Sequence, residues 1–428
     1  MDLKVQSRLS YGRAILIMSF TLASVVAIFL VQWIAVTRFG VGPETDALFA
    51  TMVISALVGN IISGSVSYVL VPALVNSTEE AAAELIWDTG AAITVVLSAA
   101  AVALWVSADL WIPWVLPGFS PPIHVLAKGL IQIQLYGVVF AGIATVLTSA
   151  HNARGCFAWP AVFTATAAVL PVIALTVTRE TGVELLAWAL VVRPILLCVF
   201  LLSVALPFRS PSLSRPAFRS LVTSLMPLTV GSAYYKTEHL VDRVISSFAP
   251  AGALSLLHLG QQIYGAGNQL LAAGVAMPAV PRLASVATRN PADFLGEVSV
   301  VTRWLLFLGA CGYVAIAIVG RPVLEIFLGH GKVSPADLHK LWLIMMALAG
   351  VWFGGLAGLV FSNAFYALGD TRTPTRIGII GYTIGIFLKI TGFLAFGVIG
   401  LALGTGIYYV GNAVALLHYL TKRSRVAG

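Results

Sequence analysis

The stretch GVVFAGIA at residues 137–144 returns as GVWFGGLA at residues 350–357, an offset of 213 residues. A second fragment repeats in the same order, since VPAL at residues 71–74 is matched by VPRL at residues 280–283, an offset of 209. One shared fragment would be chance, but several in order at a nearly constant spacing indicate an internal duplication. The sequence therefore predicts two related halves.

The amino-acid composition indicates that most of this chain lies in a lipid bilayer. Of its 428 residues, 59% are hydrophobic and 10% are charged, whereas about 25% of the residues in a water-soluble protein are charged. Backbone groups in lipid must be satisfied within their own segment, so we predict an all-α polytopic membrane protein. Twelve apolar stretches reach the roughly 20 residues that a membrane-spanning helix needs, at about 14–36, 47–74, 89–112, 124–149, 158–178, 183–206, 221–248, 252–280, 302–328, 338–367, 377–397 and 399–420.

Lysine and arginine are unevenly divided between the two sides of this predicted topology. With the amino terminus in the cytoplasm, fifteen of them fall in inner segments and five in outer segments. The positive-inside rule then predicts that both termini are cytoplasmic. The five outer residues are Arg38, Arg179, Arg321, Lys332 and Lys340.

Each predicted half contains six helices. An even number returns the chain to its starting side, so we expect the halves to be parallel repeats related by an axis along the membrane normal. The predicted domains are an N-terminal six-helix bundle at 1–206, a basic cytoplasmic linker at 207–219 and a C-terminal six-helix bundle at 220–428. The first apolar run has no small-residue cleavage site, which is typical of a retained helix rather than a cleaved signal.

Several function classes are disfavoured. The net charge of +8 comes from basic residues that are concentrated in the inner segments. It therefore indicates membrane topology and attraction to anionic lipids rather than nucleic-acid binding. The sequence contains no Gly-x-x-x-x-Gly-Lys-Ser/Thr phosphate loop and no soluble segment long enough for an enzymatic site. We therefore predict no enzymatic activity, no cofactor and no metal.

The predicted helix at 221–248 carries the densest cluster of ionisable residues, and such residues inside a membrane are costly and usually functional. At about 100° per residue, Lys236 and Arg243 share one face, and Glu238 and Asp242 form a second stripe. Two interpretations stay open. The charges neutralise one another and neighbouring helices as structural pairs, or at least one face lines a water-filled cavity.

Other helices contain isolated polar residues. Arg193 lies midway along the predicted sixth helix and Lys389 midway along the eleventh, and each needs an anion, a carbonyl or water. Small residues around Asn60 on the second helix fit either close packing or a cavity wall. The eighth helix has a polar stripe for which cavity lining is favoured, made of His258, Gln261, Gln262 and Asn268.

At these residues the chain resembles the MviN/MurJ lipid II flippases of the multidrug/oligosaccharidyl-lipid/polysaccharide (MOP) exporter superfamily. The resemblance implies two six-helix bundles around a V-shaped central cavity that opens alternately to each side. The motifs that support it are FGVG at 39–42, TDALF at 45–49, GSVS at 64–67, VPAL at 71–74, AGVA at 273–276 and DTRTPTRIGII at 370–380.

The chain also departs from that family. The family's arginines on its first, second and eighth helices, thought to grip a pyrophosphate, align with neutral positions here. These positions are Ser24-Val25, Val31-Gln32, Gly59-Asn60 and Gln261-Gln262. The two helices that the flippases add after the twelfth are absent from this sequence.

The resemblance implies a flippase of the bacterial inner membrane that moves a lipid-linked saccharide or peptidoglycan-type precursor from the cytoplasmic to the outer leaflet. Envelope glycosyltransferases or other proteins of cell-envelope synthesis are its expected protein partners. Two alternatives stay open, an ion-coupled exporter of small amphiphiles and a transport-inactive scaffold for envelope synthesis. The expected substrate-binding residues are Arg193, Lys236, Arg243, His258, Gln261, Gln262, Asn268 and Asn60.

The resemblance also implies a coupling site. In the family a sodium ion can sit between an acidic residue of the seventh helix and an asparagine-containing cluster of the eleventh. Alignment places Asp242 at the first position and Lys389 at the second, with Glu238 nearby. We therefore expect Lys389 to pair with Asp242 in place of bound sodium; the alternative is that each faces a different neighbour.

Overall fold

The computed structural model of the chain describes residues 3–178, 182–203, 207–289 and 293–427. Regular structure in these ranges is helical, which confirms the predicted fold class. The helices are α1 (Leu3–Phe39), α2 (Pro43–Val75), α3 (Glu79–Val106), α4 (Ala108–Val115), α5 (Pro121–Ala153), α6 (Ala158–Val177), α7 (Val183–Ser203), α8 (Pro216–Lys236), α9 (Glu238–Ser246), α10 (Ala253–Leu271), α11 (Met277–Arg289), α12 (Phe294–Leu328), α13 (Pro335–Ala347), α14 (Ala349–Ala367) and α15 (Arg372–Ala427).

Nine helices of this described part are long and apolar enough to cross a membrane. The last of them, Arg372–Arg423, contains two predicted spans, because Phe396 and Gly397 leave the helical conformation between them. Gly397 has φ of 60°, which a residue with a side chain rarely adopts. Arg179, one of the five outer residues of the topology argument, lies outside the described residues.

The two remaining predicted spans are interrupted helices. The span at 221–248 is divided where α8 ends at Lys236 and α9 begins at Glu238. The span at 252–280 contains a π-helical turn, Ala272–Ala276, between α10 and α11. Both spans carry polar residues, which lower their mean hydropathy.

The helices group into two compact units. The first contains residues 1–39 and 43–240, and the second contains residues 40–42 and 241–428. This grouping places α8 in the first unit, whereas the sequence analysis assigned 220–236 to the C-terminal bundle. The compact units are defined by contacts between residues, whereas the predicted domains were defined by the sequence repeat. The predicted boundary at 207–219 therefore stays a prediction.

The repeated stretch begins with a glycine at a helix crossing in both units. A Cβ atom at Gly137 would lie 3.3 Å from Cα of Val191, so this glycine lets α5 approach α7 closely. A Cβ atom at Gly350 would lie 2.5 Å from Cα of Gly406, where α14 crosses α15. Small residues at crossings are a general means of bringing membrane helices together. The sequence repeat thus corresponds to the same packing device in each unit.

The linker that follows α7 is fixed to α3. The carboxylate of Asp88, whose side chain is 1% exposed, accepts hydrogen bonds from the backbone N–H of Ser212 at 2.6 Å and from Nη1 of Arg215 at 2.5 Å. The hydrogen bond to Asp88 raises the pKa of Arg215 above its ordinary value. The indole of Trp87 donates to the carbonyl of Pro207 at 2.9 Å. Residues 207–215 are therefore held in place within the first unit.

Asp370 determines where α15 begins. Its Oδ1 accepts the N–H groups of Arg372 and Thr373 at 3.0 Å each, and its Oδ2 accepts the Thr373 hydroxyl at 2.8 Å. Arg423, near the other end of α15, donates to Oδ2 at 2.5 Å. The hydrogen bond from the Thr373 N–H, with smaller contributions from its hydroxyl and from Arg423, lowers the pKa of Asp370. The DTRTP motif is thus a helix cap that also holds the end of the chain.

We predict that Asp370→Ala destabilises the protein at neutral pH, because caps of this kind contribute ~1 kcal/mol. A lowered pKa in the folded state means that the stabilisation is present above the unfolded value of 3.8 and is lost as pH falls through the folded pKa. The difference in melting temperature between the variant and the wild type should therefore shrink below about pH 4. Asp109→Ala, which removes an exposed surface carboxylate, is the control. A difference that persists unchanged into acid would contradict the assignment.

Candidate functional site

The second unit buries an ion pair between α9 and α15. The ammonium Nζ of Lys389 lies 2.8 Å from Oδ1 of Asp242, and the two side chains are 0% and 1% exposed. The ring centroid of Tyr408 lies 5.4 Å from the same ammonium, close enough for a cation–π interaction. The expected contact between Asp242 and Lys389 is therefore present. Its role in ion coupling stays a prediction.

The pair belongs to a longer network. The amide nitrogen of Gln261 donates to Oδ2 of Asp242 at 2.7 Å, so both oxygens of the carboxylate accept hydrogen bonds. Nη2 of Arg243 donates to the amide oxygen of Gln261 at 3.0 Å and contacts Nδ1 of His258 at 2.9 Å. The side chain of Gln261 thus bridges the carboxylate of Asp242 and the guanidinium of Arg243.

The network assigns the proton of His258. A guanidinium has donors and no acceptor, so Nδ1 of His258 must accept the hydrogen bond from Arg243. The imidazole is then neutral, with its proton on Nε2. Protonation of Nδ1 would place two donors against each other and break this contact. His258 therefore orients Arg243 only in its neutral form.

The interruption at Thr237 changes the expected arrangement of the charges. A regular helical wheel does not run from Lys236 to Arg243, since α8 ends at the first and α9 contains the second. Lys236 and Arg243 therefore lie on two separate helices, and the expectation that they share one helix face stays a prediction. Arg243 is 1% exposed and engaged within the second unit. Asp242 pairs with a neighbouring helix, as in the first of the two interpretations of this cluster.

Three other predicted residues are not joined to this network by the contacts described above. Gln262 and Glu238 are half-buried. Asn268 is also half-buried, and its amide oxygen is enclosed without a hydrogen-bond partner in the described part of the chain. Their substrate-binding and coupling roles stay predictions.

The first unit contains a cavity of about 590 Å³ enclosed by α1, α2, α5 and α7. Two predicted site residues, Arg193 and Asn60, line it. The small polar residues of α2 belong to its wall rather than only to a packing seam. Those that line it are Ser55, Gly59, Asn60, Ser63 and Ser67.

Lys236, the last residue of α8, contacts α2, the helix that carries Asn60. Its ammonium donates to the backbone carbonyl of Asn60 at 2.6 Å and lies 3.5 Å from that of Ile61. Both residues belong to the first unit. Lys236 therefore adds positive charge beside a cavity-lining residue and is anchored by backbone oxygens.

Sequence reasoning missed several residues that complete these sites. Gln134 on α5 accepts from Ser55 at 3.2 Å and donates to Thr51 at 3.2 Å, which ties α5 to α2 at the cavity wall. Its signal was an amide side chain within an apolar helix, which a search for polar residues in the predicted spans would have found. Tyr408 has no such signal, because an aromatic residue in a membrane helix is ordinary.

A chain of apolar helices that contains a buried ion network indicates a polytopic membrane protein with a functional site inside the membrane. The model of the lipid II flippase MurJ family matches residues 35–428. The chain belongs to this family.

Curated relatives agree with that assignment. A probable lipid II flippase MurJ of Vibrio cholerae is 22% identical over 49% of this chain and 42% of its own. One from Rhizobium meliloti is 27% identical over 51% of this chain and 40% of its own. The match thus spans less than half the length of these relatives.

Two solved structures show the fold. A lipid II flippase MurJ in an inward closed conformation superposes with a TM-score of 0.83 at 20% identity, covering 95% of this chain and 87% of that one. An inward-facing multidrug resistance MATE family transporter of the MOP superfamily gives a TM-score of 0.80 at 12% identity, covering 96% and 98%. Both share the helical architecture.

We predict a strongly non-additive result when the ion pair is removed. Asp242→Leu leaves a buried ammonium without its carboxylate, and Lys389→Met leaves the reverse, each costing about 3–5 kcal/mol. The double variant Asp242→Leu/Lys389→Met should lose far less stability than the sum of the two single costs, because neither member of the pair is left without the other.

The measurement is thermal unfolding of the detergent-solubilised protein. Glu325→Gln, which breaks an exposed i,i+4 pair with Arg321 at 3.0 Å, is the control and should change stability by less than ~0.5 kcal/mol. Simple addition of the two single effects in the double variant would show that the residues do not depend on each other.

Proposed function

We propose that this chain moves a lipid-linked saccharide precursor from the cytoplasmic to the outer leaflet of a bacterial inner membrane, with both termini in the cytoplasm. The observation that carries the proposal is the family match through residues 35–428. Transport would proceed by alternating access, as the MOP superfamily fold allows. Enzymes that build or use the lipid-linked saccharide would be its protein partners.

The charges within the helices suit such a substrate. Arg193 and Lys236 supply two cations at the wall of the first unit's cavity. Arg243 supplies another in the second unit, where Gln261 and His258 hold its guanidinium. A phosphate linkage between lipid and sugar is the group that such cations would attract, and charge-assisted hydrogen bonds strengthen away from water.

The test of this proposal is reconstitution. Purified protein in liposomes should increase the rate at which a fluorescent polyprenyl-diphosphate sugar becomes accessible to a membrane-impermeant quencher, relative to liposomes without protein. Efflux of a cationic dye is measured in parallel with the same preparation. Acceleration of the dye alone would favour an exporter of small amphiphiles. Acceleration of neither substrate would favour a scaffold and overturn the proposal.

The ion pair bears on energy coupling. A cation held between α9 and α15 would need the carboxylate oxygens of Asp242, and both already accept hydrogen bonds from Lys389 and Gln261. The Lys389 ammonium therefore supplies covalently the charge that a bound sodium ion would bring. We propose that this chain works without an exchangeable sodium ion at that position.

We predict that wild-type transport is the same in sodium-containing and sodium-free buffer of equal ionic strength. In Lys389→Asn the ammonium is replaced by a neutral oxygen ligand, so transport should become stimulated by sodium, as expected of a vacated cation position. The comparison is the initial rate of the reconstituted assay with sodium or with choline. Sodium dependence of the wild type would refute the proposal.

A further inference from the structure

The first turns of α15 form the wall of a basic pocket in the second unit. The pocket has a volume of about 400 Å³, and Arg372 and Arg376 line it. Because these residues are four apart in a helix, their side chains project from the same face. None of the described residues that line the pocket is acidic, and neither arginine forms an ion pair within the described part of the chain. The pocket therefore holds two positive charges that no described residue neutralises.

The carboxylate next to the pocket is already engaged. Both oxygens of Asp370 accept hydrogen bonds, from the N–H groups of Arg372 and Thr373 and from the guanidinium of Arg423. The negative charge of Asp370 is thus compensated by Arg423, at 2.5 Å. The same contacts occupy the N–H groups at the start of α15. A ligand in the pocket would therefore be held by the arginine side chains and not by the helix end.

An apolar stripe continues from the pocket along α15. Ile379 and Ile380 line the pocket itself. Exposed apolar side chains then recur on the face that Arg376 begins, at Ile380, Ile384, Phe387 and Leu394. This segment is long and apolar enough to cross a membrane, so its exposed apolar face lies against lipid. At 1.5 Å per residue, the stripe from Ile380 to Leu394 is about 21 Å long, which exceeds the roughly 15 Å of hydrocarbon in one leaflet.

The two guanidiniums determine which headgroup suits the pocket. A guanidinium binds two phosphate oxygens as a planar fork. A zwitterionic headgroup would bring a second, positive group to a pocket whose described wall has no acid to receive it. An anionic headgroup such as phosphoglycerol brings only hydroxyls, and Thr371 and Thr375 place hydroxyl groups in the same wall. The volume of about 400 Å³ leaves room for the glycerol beside the phosphate.

We propose that this pocket is a binding site for an anionic phospholipid. Arg372 and Arg376 bind its phosphodiester, and the stripe from Ile380 to Leu394 contacts one acyl chain. A soluble phosphate ester would occupy the charged part and leave the stripe uncovered, so the combination favours a lipid. Bound lipid would fix the depth in the membrane of α15, the helix that also carries Lys389.

The experiment measures lipid preference by photocross-linking at single positions. A benzophenone side chain is introduced as Ile379→p-benzoylphenylalanine, inside the pocket, or as Leu394→p-benzoylphenylalanine, at the far end of the stripe. The full chain is reconstituted in phosphatidylcholine liposomes that contain a trace of radiolabelled phosphatidylglycerol or of radiolabelled phosphatidylcholine. At residue 379 labelling by phosphatidylglycerol should exceed labelling by phosphatidylcholine at least about tenfold, at roughly fivefold for each arginine. At residue 394 the two lipids should label about equally.

Variants assign the preference to the two arginines. Arg372→Gln/Arg376→Gln should abolish the preference at residue 379. Arg372→Lys/Arg376→Lys, which keeps both charges and loses the forks, should give an intermediate value. Arg321→Gln is the matched control, because this exposed arginine already pairs with Glu325 at 3.0 Å. Equal labelling by both lipids at residue 379 of the wild type, or an unchanged preference in the double glutamine variant, would overturn the proposal.

A competition arm separates a lipid from a soluble anion. Millimolar glycerol phosphate, at constant ionic strength, should leave the labelling by phosphatidylglycerol unchanged, because it has no acyl chain to contact the stripe. Loss of that labelling would assign the pocket to a soluble phosphate ester and would refute a lipid site.

Thermal unfolding in neutral detergent tests the site without the cross-linker. Both arginines are exposed, so without lipid Arg372→Gln/Arg376→Gln should unfold at the same temperature as the wild type. Added phosphatidylglycerol should raise the melting temperature of the wild type more than that of the variant, because a ligand stabilises the folded state that binds it. Equal stabilisation of the two proteins would contradict the site.

Discussion

Inside a membrane, every charge needs a partner, and the contact between Lys389 and Asp242 satisfies this requirement in the second unit. Both side chains are shielded from water, at 0% and 1% exposure, so each charge is compensated by the other at 2.8 Å. The contact also ties α9, a short helix of nine residues, to the far longer α15. Gln261 and Arg243 extend the same requirement to α10. The packing of these helices follows from where the charges can be satisfied.

The first unit meets the same requirement differently. Lys236 uses backbone carbonyls of α2, and Asp88 uses the linker, through the N–H of Ser212 and the guanidinium of Arg215. Arg193 has neither solution among the described residues, and it faces a cavity. Two units that share a repeated helix-crossing glycine thus differ in their polar chemistry. In the second unit Asp242, Gln261 and Arg243 bond to one another, whereas in the first unit Arg193 faces a cavity.

The chain has neutral residues where the family has arginines, and the contacts of these residues show what they do here. The aligned arginine positions on α2 and α10 are neutral here, at Gly59-Asn60 and Gln261-Gln262. Gln261 nevertheless has a defined task, since it bridges Asp242 and Arg243. Asn60 lines a cavity that Arg193 enters from another helix. Positive charge is therefore present near both positions, supplied by residues elsewhere in the chain.

The sequence by itself determined the membrane class and the helical fold, because the length of an apolar segment is a local property of the sequence. The spacing of its repeats predicts two duplicated halves. The sequence also identified Asp242 and Lys389 as candidates for pairing, since a charge in an apolar span must find a partner. The sequence did not predict the helix break at Thr237, because a continuous span and an interrupted span have the same apolar pattern. Only the tertiary structure decided that Lys236 binds α2 while Arg243 binds α10, and that Arg193 has no counterion among the residues that the structure describes. Those outcomes depend on distances between helices remote in sequence, which no local pattern contains.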